Sequence, residues 1–415
     1  MHTFSNIYKS GITLVVSLLF FISATAQIHL QITKGIWRGV LQLNDSVQLP
    51  FNFELKSNSD YPYVIEIING LERIQITDVK LRGDSIVFKM PVFDSEFRCK
   101  NYTDSLSGVW INHARKTKNI IPFSAKQNES RRFLFPPTKP LELTERYKVT
   151  FEPGTKDEYF SVGMFNTKSG IAKGTFTTET GDYRYLEGYS AYGQFMVSCF
   201  DGAHAFLFVA KRSNDSLLNG VFYSGAHGHE NFIAVQDENF QLRNPDSLTF
   251  LKPGYTKVDF NFKNLEGKSV TLHDTKYQNK VIIIQIMGSW CPNCMDETKF
   301  LAPFYDKYNS KGLEVVALAF ERTDDFNKAV SNVQRSKTRF NANYEFLITM
   351  KTGADQASEA LPMLNKVMAF PTTIYIDKKG VVRKIYTGFN GPATGEAYTK
   401  YVEETTRFVE KLLAE

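Results

Sequence analysis

The sequence predicts a multidomain protein in which N-terminal all-β tandem modules precede an α/β domain built on a mixed sheet with helices on both faces. Three observations carry this. Upstream of about residue 250, apolar and polar residues alternate with period two between turn signals. Part of that pattern occurs twice. Downstream, β-branched runs alternate with helical stretches before a terminal hairpin. A chain of 415 residues accommodates two or three domains. The formal charge of +5 is spread without a basic cluster beyond pairs such as Arg131-Arg132, which excludes nucleic acid as a partner.

In the upstream region Phe51-Asn52-Phe53-Glu54-Leu55 alternates, as do Ile74-Gln75-Ile76 and Ile86-Val87-Phe88, and Gly83-Asp84 and Gly181-Asp182 are hairpin turns. The stretch from Ile86 to Asp94, followed by Thr103 to Trp110, is matched by Phe195 to Asp201, followed by Asn214 to Phe222. Each copy ends in a last strand, at Ile121 and at Phe232. This predicts two antiparallel β-modules of roughly a hundred residues each, 27–134 and 141–243. The Pro-rich segment from Phe135 to Pro140 divides them, and a second linker runs from Asn244 to Gly254. The abundant Phe and Tyr read as core filling, with a ligand or client surface as the alternative. His227-Gly228-His229-Glu230 offers two imidazoles on one strand face, but flanking glycines favour a turn and no metal site is assigned. Cys99 and Cys199 occupy unmatched places in the two copies and read as buried free thiols.

The α/β domain is placed at 253–415. A leading hairpin (Phe260 to Leu272) precedes the strand from Val281. Then come a helix to Tyr308, a strand from Leu313, a helix from about Asp324 to Phe340, a short strand at Tyr344 to Ile348, a helical piece from Ala357 to Leu364 and a last helix from Tyr398 to Leu413. The apolar run from Val281 ends in Gly288-Ser289, after which Trp290-Cys291-Pro292-Asn293-Cys294 opens the helix. Cys291 is predicted to be the exposed thiol, where free backbone N–H groups and the helix dipole favour an anion, and Cys294 is placed to resolve a mixed disulfide. Zinc binding needs a second ligand pair, and no Cys or His follows Cys294. The Gly-rich loop from Gly388 to Gly395 opens no nucleotide-binding pattern.

Downstream, Phe370-Pro371-Thr372-Thr373 leads into a strand ending at Ile376, followed by Asp377-Lys378-Lys379-Gly380. With Trp290 to Cys294 and Glu297, these residues resemble the TlpA/ResA-like branch of exported thiol–disulfide oxidoreductases in the thioredoxin superfamily. The resemblance covers roughly Pro253 to Glu415. It implies a thioredoxin-like domain, a cis Phe370–Pro371 bond and a redox-active Cys291–Cys294 pair. It also implies that Pro371 shapes the peptide-binding edge, and that Trp290, Phe370 and Thr372 contact substrate. Where thioredoxin itself has a buried Asp, this chain has Gln285, which cannot titrate; the TlpA-like branch commonly has an amide there. Glu297 also matches the branch. It is either a half-buried acid with a raised pKa that exchanges protons with Cys294, or a solvated first-turn residue.

Lys9, the apolar run from Ile12 to Ile22 and Ala24-Thr25-Ala26 form a signal-peptide pattern over 1–26, with cleavage near Ala26 and a periplasmic or otherwise exported product. The run is too short for a stable membrane span, and no later segment approaches one. The expected function is an exported disulfide reductase acting on disulfide-containing protein clients. It is supplied with electrons by a membrane thiol donor of the DsbD/CcdA type and needs no cofactor beyond its two sulfurs. The alternatives are a thiol peroxidase, against which Met287-Gly288-Ser289-Trp290 lacks the peroxidatic Thr-x-x-Cys pattern, and a binding protein with a static disulfide.

Overall fold

The computed structural model describes residues 32–134, 139–143, 146–214 and 217–415. The signal-peptide segment and most of the Pro-rich divider lie outside the described residues. Two antiparallel sheets precede a mixed sheet with helices.

In the first sheet nine strands run from Gly35–Gln42 to Ile120–Gln127, each beside its neighbour in sequence. The first and last also pair, with Trp37 opposite Gln127 and Leu41 opposite Phe123. The ring is left open only between Glu72–Ile76 and Val79–Arg82, which Thr77 and Asp78 join. In the second sheet Arg146–Phe151 pairs with both Tyr159–Lys168 and Gly228–Gln236, and Tyr159–Lys168 pairs with Ile171–Thr178, so the circuit closes. Closure of the second ring removes edges that would otherwise recruit foreign strands, and the first keeps only the short edge strands Glu72–Ile76 and Val79–Arg82.

The sequence repeat falls on equivalent strands. Ser85–Lys89, Ser105–Asn112 and Ile120–Gln127 hold the same positions from the end of the first sheet as Gln194–Phe200, Leu217–Ser224 and Gly228–Gln236 in the second. Gly108 and Gly220 match because neither site has room for a Cβ: backbone of Arg98 and Cys99 crowds one, and the Phe232 ring crowds the other.

The inward faces are aromatic. Trp37, Phe51, Phe53, Phe97 and Phe123 fill the first barrel, and Phe151, Phe176, Phe208, Phe222 and Phe232 fill the second. The void among Tyr147, Phe165, Phe176 and their neighbours is only about 10 Å³, room for about one water and for no ligand. The aromatics are therefore core. The barrels also share core: Phe200 of the second stacks on Phe51 of the first, with centroids 4.7 Å apart, and Arg132 donates to Ser198 O at 2.8 Å.

The third unit comprises β1 (Asn261–Asn264), β2 (Ser269–Thr271), β3 (Val281–Met287), α1 (Pro292–Tyr308), β4 (Leu313–Ala319), α2 (Phe326–Phe340), β5 (Glu345–Ile348), α3 (Gly353–Ala360), β6 (Thr372–Ile376), β7 (Val382–Thr387) and α4 (Glu396–Ala414). The sheet order is β2-β1-β5-β4-β3-β6-β7. Strands β3, β4 and β5 are parallel, and the rest pair antiparallel. The fully buried β3 reads as a continuous apolar run because both faces are covered. Ile283 and Val315 point toward α1, α2 and α4, whereas Ile284 and Val316 pack with Ala357 of α3. The third helix ends at Ala360, earlier than the pattern predicted, because Pro362 cannot extend it. Before β1, Leu248 is buried and Lys252 N donates to Met363 O at 2.8 Å, so this segment packs on the third unit.

Candidate active site

Strand β3 delivers Trp290 and Cys291 to the N-terminus of α1. Cys291 is the N-cap residue, and its sulfur accepts from Cys294 N at 3.3 Å. Pro292 suits the first helical turn, where an N–H would have no partner. The Cys291 thiol donates to Phe370 O at 3.3 Å, so the two redox motifs meet directly. The Phe370–Pro371 peptide is cis. All four cysteines are free and buried. Cys291 is only 6% exposed and Cys294 is 0% exposed. The expectation that Cys291 stands open to solvent is therefore corrected: the Phe370 carbonyl and the surrounding core cover it. Burial first, then contact with Cys291 and the charge of Glu297, pushes the Cys294 thiol well above its ordinary value.

Trp290 donates Nε1–H to Phe320 O at 2.9 Å, lies edge-on to Phe370 at 5.4 Å, and carries the Arg322 guanidinium 3.7 Å above its ring. Ser289 gives Glu321 its backbone N–H at 2.7 Å and its hydroxyl at 2.6 Å. Thr372 is buried, and its hydroxyl is spent on Ala369 O at 2.9 Å.

Glu297 is 0% exposed, neither half-buried nor solvated. Gln285 Nε2 donates to its carboxylate at 2.9 Å and Thr373 donates its hydroxyl. Burial raises its pKa to about 7, against the partly offsetting hydrogen bonds from Thr373 and Gln285. Gln285 also donates to Cys294 O at 3.3 Å. The amide at this position links the acid to the second cysteine's backbone.

The second barrel grips the residues between and after the cysteines. Asn293 Nδ2 donates to Asp182 O at 3.2 Å, and Asp182 accepts from Gly391 N at 2.6 Å. A Cβ at Gly181 would collide with the Asn293 amide. Arg184 donates to Pro292 O at 3.4 Å, to Asp296, and to Glu72 of the first barrel at 2.5 Å. Its Nε lies 3.6 Å from Asp201. Burial disfavours the Arg184 charge, but Glu72, Asp201 and Asp182 more than offset it and hold its pKa above the usual value. Sequence reasoning saw only a hairpin turn at Gly181-Asp182. The available signal was an Asp and an Arg inside an otherwise aromatic β-region.

His227, His229 and Glu230 do not converge. Glu230 accepts from the Tyr159 hydroxyl at 2.6 Å, and His229 lies against Tyr223. No cluster of three metal-ligating residues occurs among the described residues.

The Redoxin family model matches residues 252–401. The thiol-disulfide oxidoreductase ResA of Geobacillus thermodenitrificans is 31% identical over 140 residues, covering 34% of this chain and 72% of that protein. This chain belongs to the ResA-like thiol–disulfide oxidoreductases. The thioredoxin-like protein YneN of Bacillus subtilis is 28% identical over 139 residues, 33% of this chain and 73% of that one. A secreted thiol-disulfide isomerase from Corynebacterium glutamicum is 18% identical, with TM-score 0.32, over 43% of this chain and 99% of that structure. The ResA-like part is the C-terminal third, and both barrels lie outside the Redoxin match. Among the described residues no helix is long and apolar enough to cross a membrane.

Proposed function

We propose that the protein is an exported disulfide reductase in which Cys291 is the nucleophile and Cys294 the resolving thiol. The carrying observation is the contact of Cys291, at the N-cap of α1, with the Phe370 carbonyl beside Pro371. Free N–H groups at a helix start stabilise a thiolate and a leaving sulfur. Cys291 attacks the client disulfide. Cys294 then attacks Cys291, which requires loss of a proton that its buried site holds tightly. Glu297, with a pKa near 7, accepts that proton and returns it on reduction. Pro371 shapes the strand edge on which a client segment lies, with Trp290 and Phe370 lining it. Thr372 supports that edge from inside the fold. Disulfide-containing proteins are the clients, a membrane thiol donor of the DsbD/CcdA type resets the pair, and the signal-peptide pattern supports a periplasmic location.

The test is insulin reduction with dithiothreitol as donor. Cys291→Ser should fall to the uncatalysed rate, and Cys294→Ser should accumulate the mixed disulfide. In the wild type, iodoacetamide should label Cys291 well before Cys294. Intact turnover in Cys291→Ser removes the assignment.

A further inference from the structure

A cavity of about 330 Å³ lies beside Trp290 where the two barrels meet the redox domain. Small-molecule sites begin at about that size, roughly 300 Å³. The first barrel contributes His113, Arg115 and Lys116 from the turn after Ser105–Asn112, the second contributes His204, and the redox domain contributes Trp290 and Arg322.

The charges on this wall are unbalanced. Its acids are already engaged: Asp94 pairs with Lys328 at 2.6 Å and with Arg335 at 3.5 Å, and Glu321 is held by Ser289. Neither the Arg115 nor the Arg322 side chain forms a hydrogen bond or ion pair among the described residues; Asp201 attracts the first and Glu321 the second at longer range, and Arg322 lies on the Trp290 ring. Burial, and then the nearby positive charge of Arg322, pulls the Arg115 pKa below its usual value. Arg335 Nε, also in the wall, is buried without an acceptor. Arg115, Lys116, Arg322, Lys328 and Arg335 stand in this wall against Asp94 and Glu321, and that excess of cations favours a bound anion. Trp290, whose ring carries Arg322, lines the cavity and immediately precedes Cys291 in the chain, so the cavity adjoins the redox pair.

The other side of the redox motif is closed. Asn293, Pro292 O and Asp296 are all bound to the second barrel, so a folded client cannot lie across them with the barrels in place.

We propose that this cavity binds the carboxylates of a small anionic peptide disulfide and presents its sulfurs to the redox pair. The proposal rests on the disulfide reductase reading above. In the reaction the Cys291 thiolate attacks one substrate sulfur, the substrate S–S bond breaks, and one substrate thiolate leaves and takes a proton. Cys294, as thiolate, attacks the Cys291 sulfur and releases the second substrate thiolate, which is protonated in turn. Two electrons and two protons pass from the protein dithiol to the substrate, which becomes two thiols. The resulting Cys291–Cys294 disulfide is reduced again by a dithiol donor.

Two probes separate charge from disulfide chemistry: glutathione disulfide, which carries carboxylates, and neutral bis(2-hydroxyethyl) disulfide. Pre-reduced full-length protein is mixed with each, and oxidation is followed by tryptophan fluorescence. The ratio of the two second-order rate constants should favour glutathione disulfide. It should fall about tenfold in Arg115→Gln and again in Arg322→Gln, the loss of one charge-assisted contact each. It should also fall as salt rises. Melting temperatures identify a misfolded variant, and the exposed Arg322 provides the second probe if Arg115→Gln does not fold. S-methylglutathione, which cannot exchange, should bind the wild type in a calorimeter and lose affinity in both variants. Binding of S-methylglutathione without reduction of either disulfide keeps the cavity and removes the reductase reading. Reduction of both disulfides at a ratio unchanged by either substitution, with no S-methylglutathione binding, overturns the cavity and leaves the reductase standing.

Discussion

The first barrel meets the redox domain through Val92, which is buried in that domain's core cluster, Phe93 packed beside it, and Asp94, which pairs with Lys328 and Arg335 at partly exposed positions. The second barrel meets it through Asp182 and Arg184, which are buried and bonded to Asn293, Pro292 O, Asp296 and Gly391. Apolar contact is non-directional and tolerates small shifts. Buried charges with fixed hydrogen bonds do not, because any shift leaves a desolvated group unpaired. The first barrel is thus attached to the redox domain, whereas the second fixes the geometry of the residues between its cysteines.

The sharpest way to break this contrast is Arg184→Met. It leaves the buried Asp201 and the partly covered Glu72 and Asp296 without their shared cation, and the expected loss is about 3–5 kcal/mol in urea unfolding. The Cys291–Cys294 reduction potential should move with it. An unchanged potential would show that the grip is structural only.

Next in size is a control inside the redox domain. The carboxyl of Glu297 has a pKa near 7 in the fold against about 4.5 when unfolded. Between those values the folded protein keeps a proton that the unfolded chain releases, so stability falls as pH rises through that window and the penalty is complete above about pH 7. Glu297→Gln lacks this slope. Relative to wild type it should gain up to roughly 3 kcal/mol between pH 4.5 and pH 8. A flat difference would mean that Glu297 ionises like a solvated acid.

The smallest effect belongs to Asp94→Asn. A partly exposed ion pair contributes at most about 1 kcal/mol, so melting should barely move and the reduction potential should stay put. A loss as large as that of Arg184→Met would erase the distinction between the two interfaces.

The sequence made legible whatever is local. A β-branched run, a Gly-Ser turn and a Trp-Cys-x-x-Cys helix start lie within a few residues, and the structure keeps them together. The Phe370-Pro371 motif was readable for the same reason, and so was the all-β strand pattern upstream of the redox domain. Ring closure was not readable, because alternation fixes which face of a strand is buried and not which strand it joins. Glu297 was visible as a residue, but its environment depends on Gln285, Thr373 and Tyr401, which come from three separate elements. Arg184 was missed because its carboxylate partners Glu72 and Asp296 each lie 112 residues away.

That symmetric separation sets an order of assembly. Chains emerge N-terminus first and their domains fold as units. Glu72 and Asp201 are both available to Arg184 once the second barrel is complete, before Asp296 has been synthesised. In each barrel the strand that closes the ring is also the last one made. Wherever the chain emerges N-terminus first, the redox motif therefore follows every strand of both barrels, and Asp296 is the last of the three acids to reach Arg184, bringing the active-site helix with it.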